Sequence, residues 1–190
     1  MTRMLIIGPP GAGKGTQAAR ISERLGVTAI STGDIFRANV KNETPLGIEA
    51  KKYIDAGNFV PDSVTNEMVR ARLQEDDVTD GFLLDGYPRT AAQVEELDDI
   101  LAGKGEKLDV VLQLTADDEE LVQRLLKRAE VEGRADDNED VIRHRLDLYK
   151  EQTADVVASY DKRGIVARVD GLGGIDDVTE RVMEALKDIR

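Results

Sequence analysis

A chain of 190 residues, 41% hydrophobic and 34% charged, has the balance of a folded globular protein, and an aromatic share of 4% predicts an aliphatic core. Zero cysteines exclude disulfides and thiolate metal sites, and a single histidine argues against a protein-built zinc centre, leaving oxygen-liganded magnesium as the metal to expect. A formal net charge of -12 repels nucleic-acid backbones and anionic lipid, and no apolar run reaches membrane-span length or follows Arg3 as a signal segment would, so a cytoplasmic protein without nucleic-acid or membrane partners is expected.

In chain order, the first strand candidate is the aliphatic run MLIIG at 4–8. The helix after it carries Ala18, Ile21 and Leu25 on one face. Further short runs at 27–30, 82–85 (FLLD), 109–114 (DVVLQL) and 165–169 are continuously apolar, as strands buried on both faces should be. Between 32 and 75 the pattern is helical without a strong strand, broken near Pro45, Gly57 and Pro61, which reads as a helical insertion at one edge. A polar break at 129–140 (AEVEGRADDNED) precedes a helix whose face bears Ile142, Leu146, Tyr149, Thr153, Val156 and Tyr160. This alternation predicts an α/β protein with a five-stranded parallel sheet covered by helices. The expected core is 1–30, 61–126 and 142–190, with insertions at 31–60 and 127–141 and no internal repeat.

The strongest local signal is GPPGAGKGT at 8–16, between the first strand candidate and the first helix. Glycines at 8, 11, 13 and 15 let the backbone wrap closely around phosphate oxygens, and the helix N-terminus adds its positive dipole end. Lys14 is placed to reach the β and γ phosphates as a point charge, and Thr16 to bind magnesium through its hydroxyl. The strict phosphate-loop pattern has Ser or Thr directly after the lysine. Here Gly15 stands there and Thr16 follows, a form that resembles the loop of nucleoside-monophosphate kinases.

Four more segments extend the resemblance: STGDIFR at 31–37, DAGNFVPD at 55–62, DGYPRTAAQ at 85–93 and GRADDNEDVIRHR at 133–145. In that order, over nearly the whole chain, they resemble the motifs of the adenylate kinase family. The resemblance implies a P-loop kinase fold with a helical monophosphate-binding insertion and a short lid. It implies AMP binding by Thr32, Arg37, Gly86, Tyr87, Pro88, Arg89 and Gln93, helped by the backbone of Asn58, Phe59 and Val60. ATP phosphates would be held by Gly11, Ala12, Gly13, Lys14, Gly15 and Thr16, with Arg128 clamping the donor and the Gly173 backbone touching adenine. Arg134 and Arg145 would face the acceptor and the transferring phosphates, and Arg124, one turn before Arg128, would also meet ATP. Since only a short loop separates Arg128 from Arg134, the chain resembles the short-lid members, which lack zinc. One departure is TADVV at 153–157, where relatives commonly have a proline after Thr-Ala; on a core helix it puts no site in doubt.

The implied reaction is reversible phosphoryl transfer from MgATP to AMP. Its attacking atom is a phosphate oxygen that is already anionic, so no general base is needed, and His144, flanked by Arg143 and Arg145, reads as solvent-exposed. The obstacle is repulsion between polyanions, which Lys14 and the converging Arg89, Arg124, Arg128, Arg134 and Arg145 would offset. Asp85, ending its apolar strand, can orient water on magnesium, and Asp34 reads equally as its assistant and as a plain helix cap. The neighbouring reading is a kinase for UMP, CMP or GMP, against which Thr32 and Gln93 resemble the adenine-reading pattern. A nucleotide sensor without turnover is the other, but it has no use for an acceptor side. A monomer is expected.

Overall fold

The computed structural model describes residues 2–9, 11–56, 58, 60–133 and 138–187. The elements in order are β1 (Thr2–Ile7), α1 (Lys14–Leu25), β2 (Thr28–Ser31), α2 (Thr32–Lys41), α3 (Pro45–Asp55), α4 (Asp62–Arg72), β3 (Gly81–Asp85), α5 (Ala91–Gly103), β4 (Val110–Thr115), α6 (Asp118–Glu132), α7 (Glu139–Asp161), β5 (Val166–Asp170) and α8 (Ile175–Leu186). A short 3-10 turn, Asp76–Val78, leads into β3. Among the described residues no helix is long and apolar enough to cross a membrane.

Burial on both faces explains why the strands read as unbroken apolar runs. Along β1, Met4 and Ile6 enter one hydrophobic cluster while Leu5 and Ile7 enter the other, the two-residue period of a pleated strand. The first cluster packs the sheet against α2, α3, α4 and α5 through residues such as Ile35, Ala50, Met68 and Leu97. The second packs it against α1, α6 and α8 through Ala18, Ile21, Val122 and Val182. Helix α7 belongs to both: Ile142 and Leu146 enter the second cluster, Val156 and Tyr160 the first. Its middle therefore passes between the two faces.

All ladders are parallel and the strand order is β2-β3-β1-β4-β5. Strand β1 connects outward to β2, whereas its neighbour β3 connects across it to β4. The loops leaving their adjacent C-terminal ends therefore diverge and open a crevice, the usual ligand position in such sheets.

Several boundaries move from the expected ones. Strand β1 begins at Thr2, because Thr2 and Arg3 pair with Gly81 and Phe82, and it ends at Ile7, with Gly8 already in the loop. Strands β2, β4 and β5 each extend one polar residue further, to Ser31, Thr115 and Asp170, since a backbone ladder accepts any side chain. Helix α6 runs through Glu132, so Ala129 to Glu132, expected in the polar break, are helical. Through the TADVV segment at 153–157, α7 is continuous.

Candidate active site

The loop after β1 turns into α1 at Gly13, which has φ 77 and acts as the N-cap without a side chain. Only glycine adopts that left-handed conformation freely. The first-turn N–H groups of α1 have no acceptor within the helix, and no acidic side chain stands there to compete for them. Gly15 is different, because a Cβ there would meet no protein atom within 4 Å. The space beside it is open on the loop side.

Lys14, the first residue of α1, sends its ammonium to the end of β3, 2.7 Å from Oδ1 of Asp85. Both side chains are partly buried, 29% and 18% exposed, so the pair holds a positive and a negative charge at the sheet's C-terminal edge. Thr16 is exposed near them, in the first turn of α1.

After β3 the chain runs through Gly86, the cis Tyr87–Pro88 bond and Arg89 before Thr90 caps α5. Gly86 has φ 91, and its carbonyl accepts from Arg89 Nε at 2.9 Å and from the Thr32 hydroxyl at 3.5 Å. The Arg89 N–H donates to Gln93 Oε1 at 2.7 Å, and Gln93 Nε2 donates to Asp62 Oδ1 at 2.8 Å. A carboxylate only accepts, so Asp62 fixes which way the Gln93 amide faces. Gln93 is buried, 6% exposed, and Asp62 opens α4, so this chain of bonds ties α4 to the loop bearing Arg89.

On α2, Thr32 is buried against Gly86, while Arg37 pairs with Asp34 on the helix surface. That hydrogen bond from Arg37, with help from Ser31, holds the Asp34 carboxyl below its ordinary range. Arg124 bridges two loops: Nη1 donates to the Gly11 carbonyl at 3.4 Å and Nη2 to the Gly173 carbonyl at 3.3 Å. Arg128, one turn on, is half-exposed and only 3.9 Å from Glu132, a long contact. His144 is exposed, as expected, and Arg143 beside it is engaged by Glu119 and Glu139.

A cleft of about 690 Å³ is lined by Gly11, Gly13, Lys14, Gly15 and Thr16 from the phosphate loop and α1, by Gly86, Tyr87, Pro88 and Arg89, and by Arg128 and Arg145. Residues expected on the donor side and on the acceptor side thus share one wall. Asp85, Thr32, Gln93 and Arg124 stand behind this lining and touch it through Lys14, Gly86, Arg89 and Gly11, and Gly173 is joined to it through Arg124. Not joined to it are Arg37, Val60, which packs on the core, and Asn58, whose N–H donates to the Tyr53 carbonyl at 2.9 Å. Phe59 and Arg134 lie outside the described residues.

The cleft also includes Leu148, Tyr149, Gln152 and Thr153 of α7. Sequence reading took Tyr149 and Thr153 as core positions and passed over the other two. Leu148 and Tyr149 stand three and four residues after Arg145, and Gln152 and Thr153 seven and eight after it, one helix face whose periodicity is the signal that could have found them. Thr153, whose hydroxyl donates to the Tyr149 carbonyl at 2.6 Å, lines the cleft, whereas Asp155, the departing residue of TADVV, is exposed and outside that lining.

Among known proteins, the sequence model of the family described as adenylate kinase matches residues 6–165. The chain is 78% identical over 187 residues to a protein of Pseudarthrobacter chlorophenolicus named adenylate kinase, covering 98% of this chain and 97% of that one. Proteins of the same name from Renibacterium salmoninarum, 72% identical, and Kocuria rhizophila, 75% identical, are covered to 98% and 100%, with 100% and 98% of this chain aligned. A glycine-rich loop opening on a helix N-terminus, an arginine-lined cleft at its mouth and relatives matched over nearly their whole length agree, and the chain belongs to the adenylate kinase family.

Proposed function

We propose that the protein transfers the terminal phosphoryl group of MgATP reversibly to AMP, giving two ADP. The observation that carries this reading is the single cleft lined together by Lys14, Arg89, Arg128 and Arg145. As the bond between the γ phosphorus of ATP and its bridging oxygen breaks, a bond from an AMP phosphate oxygen forms, and no proton has to move. The N–H groups of the phosphate loop and Lys14 hold the donor. Arg89 draws in the acceptor, Arg128 clamps the donor, and Arg134 and Arg145 face the acceptor and the transferring phosphates. The planar fork of each guanidinium suits phosphate oxygens, and its charge persists at any working pH.

Magnesium arrives with ATP and keeps most of its ligands as phosphate oxygens and water, so one hydroxyl and one carboxylate suffice from the protein. Thr16 and Asp85 supply that donor set near Lys14. Water exclusion requires closure, which we assign to 31–60 on the AMP side and 127–141 on the ATP side because these segments are inserted between core elements. Thr32 and Gln93 are the adenine-side candidates for the acceptor, supported by their contacts with Gly86 and Arg89.

The test is a coupled assay with ATP and magnesium, offering AMP, CMP, UMP and GMP separately. Strong preference for AMP is expected; preference for another monophosphate would overturn the acceptor assignment, and no turnover with any would favour a sensor. Arg89→Ala and Arg128→Ala should each lose at least about a hundredfold in kcat, the usual cost of one transition-state donor, with circular dichroism unchanged. Near-normal turnover in either variant would remove that arginine from the mechanism.

A further inference from the structure

The turn after β5, residues 170–173, is held by several groups whose roles differ. The Gly171 N–H donates to the Thr115 carbonyl at 2.7 Å and fixes the start of the turn to the end of β4. The Leu172 N–H donates to Asp170 Oδ1 at 3.0 Å. A further hold comes from Arg181 on α8, whose Nη1 donates both to the Asp170 carbonyl at 2.9 Å and to the Leu172 carbonyl at 2.7 Å. Its Nη2 lies 3.2 Å from where a Cβ on Gly173 would stand. Although Asp177, Glu180 and Glu184 border the same depression, the guanidinium is committed to backbone carbonyls of one turn.

That commitment decides which carbonyls face which way. Those of Asp170 and Leu172 are drawn toward α8. The Gly173 carbonyl lies instead on the phosphate-loop side, since Arg124 reaches it and the Gly11 carbonyl with the same guanidinium. The turn is also close to the loop: a Cβ on Gly171 would be 3.4 Å from the Ala12 carbonyl oxygen. Gly173 itself has φ 108, a conformation that glycine adopts freely and other residues do not.

We propose that Arg181 is a positioning residue for the donor base. By holding the Asp170 and Leu172 carbonyls against α8, it keeps the Gly173 carbonyl presented as an acceptor beside the phosphate loop. An acceptor there favours a purine with an exocyclic amino group, adenine, and opposes one with a carbonyl oxygen, guanine, which would leave two acceptors facing each other. The proposal rests on the reading of this cleft as an ATP site with Gly173 at the adenine.

The experiment compares wild type, Arg181→Ala and Arg181→Lys for KM of ATP, KM of AMP, kcat and the ratio of kcat/KM for ATP over GTP. Arg163→Ala serves as the control. Arg163 pairs with Asp98 and stacks on the Tyr160 ring at 5.0 Å, so its loss lowers stability without touching the turn. A turn that spends about a fifth of its time correctly shaped raises KM for ATP about fivefold in Arg181→Ala, and the ATP-over-GTP ratio should fall by a similar factor. KM for AMP and kcat should stay within about twofold, since only binding to the competent form is reduced. Arg181→Lys, which keeps a donor but not the rigid fork, should recover part of the loss and carries the test if the alanine variant does not fold. Wild-type KM for ATP and an unchanged ATP-over-GTP ratio in both variants would overturn the proposal, as would an equal shift in Arg163→Ala. Failure of the wild-type chain to consume ATP in response to AMP would overturn the functional reading instead, and is seen before any variant is made.

Discussion

Gly86 joins conformation to function in a single residue: its φ is 91, and a Cβ there would stand 2.5 Å from the Thr32 hydroxyl oxygen. Gly86→Ala forces a left-handed alanine and a steric clash together, at a combined cost of about 2–4 kcal/mol. Because the Gly86 carbonyl accepts from Arg89 Nε, the same change should raise KM for AMP. A denaturant midpoint and KM for AMP both matching wild type would show that the backbone relaxes around the methyl. The Lys14–Asp85 pair allows a second residue-scale test. If Asp85 orients magnesium water, Asp85→Asn should raise the magnesium concentration giving half-maximal rate at fixed ATP by about tenfold or more, the scale of an outer-shell change. A lower kcat with unchanged magnesium dependence would mean that the carboxylate serves only to hold Lys14. Lys14 itself was legible because the phosphate loop is contiguous, so loop, charge and helix start can be read in one line. Its bond to Asp85 was not, since that partner becomes adjacent only through the β1–β3 ladder.

Among the elements, the strands were legible in substance and blurred at their ends. Buried aliphatic runs announce a strand, but polar end residues such as Ser31, Thr115 and Asp170 pair by backbone alone and leave no pattern. The ties between elements were the least legible, because Asp62–Gln93 spans 31 residues and Arg124–Gly11 spans 113, with no periodicity to mark either. The Asp62–Gln93–Arg89 chain shows what such a tie does: it couples α4 to the acceptor loop through one buried amide. Gln93→Leu keeps the volume but removes both bonds, and because Asp62 and Arg89 are exposed to water the loss should cost about 0.5–1.5 kcal/mol of stability per bond. It should also raise KM for AMP. Gln93→Glu keeps an acceptor for Arg89 but sets two carboxylates side by side, which disfavours their joint ionisation. Its KM for AMP should therefore fall toward wild type as the pH is lowered, while Gln93→Leu shows no such recovery. Equal pH profiles for the two variants would exclude the tie as the cause.

For the whole molecule, the two ends of the pH scale act on different parts of the fold. At the acid end, Asp34, Asp77 and Glu119 have carboxyl groups held below their ordinary range, each first by a hydrogen bond from arginine: Arg37, Arg72 and Arg143. Their stabilisation is present above the unfolded-state value and is lost as the pH falls through the folded one, but these pairs are at the surface and each contributes little. At the alkaline end the groups are inside. Tyr87 and Tyr160 are pushed well above the ordinary 10.0, and Tyr149 up to about 12, in each case chiefly by burial. Tyr87 donates its proton to Asn66 Oδ1 at 2.7 Å, a bond made by the neutral form, and the charges of Glu96 and Asp62 oppose ionisation further. A folded-state value raised above the unfolded one gives stability that is complete below about pH 10 and declines as the pH climbs toward the folded value. Each such tyrosine contributes up to about 1.4 kcal/mol per pH unit, because the unfolded chain releases a proton that the fold retains. These side chains lie in the first core cluster and along α7, so ionising them means opening the face of the sheet that carries α4 and α5. Far-ultraviolet circular dichroism and phenolate absorbance followed from pH 8 to 12 should therefore change together and steeply above pH 10. Phenolate absorbance rising for all three while the dichroism stays native would show that water reaches them within the fold, and that the core does not oppose their charge.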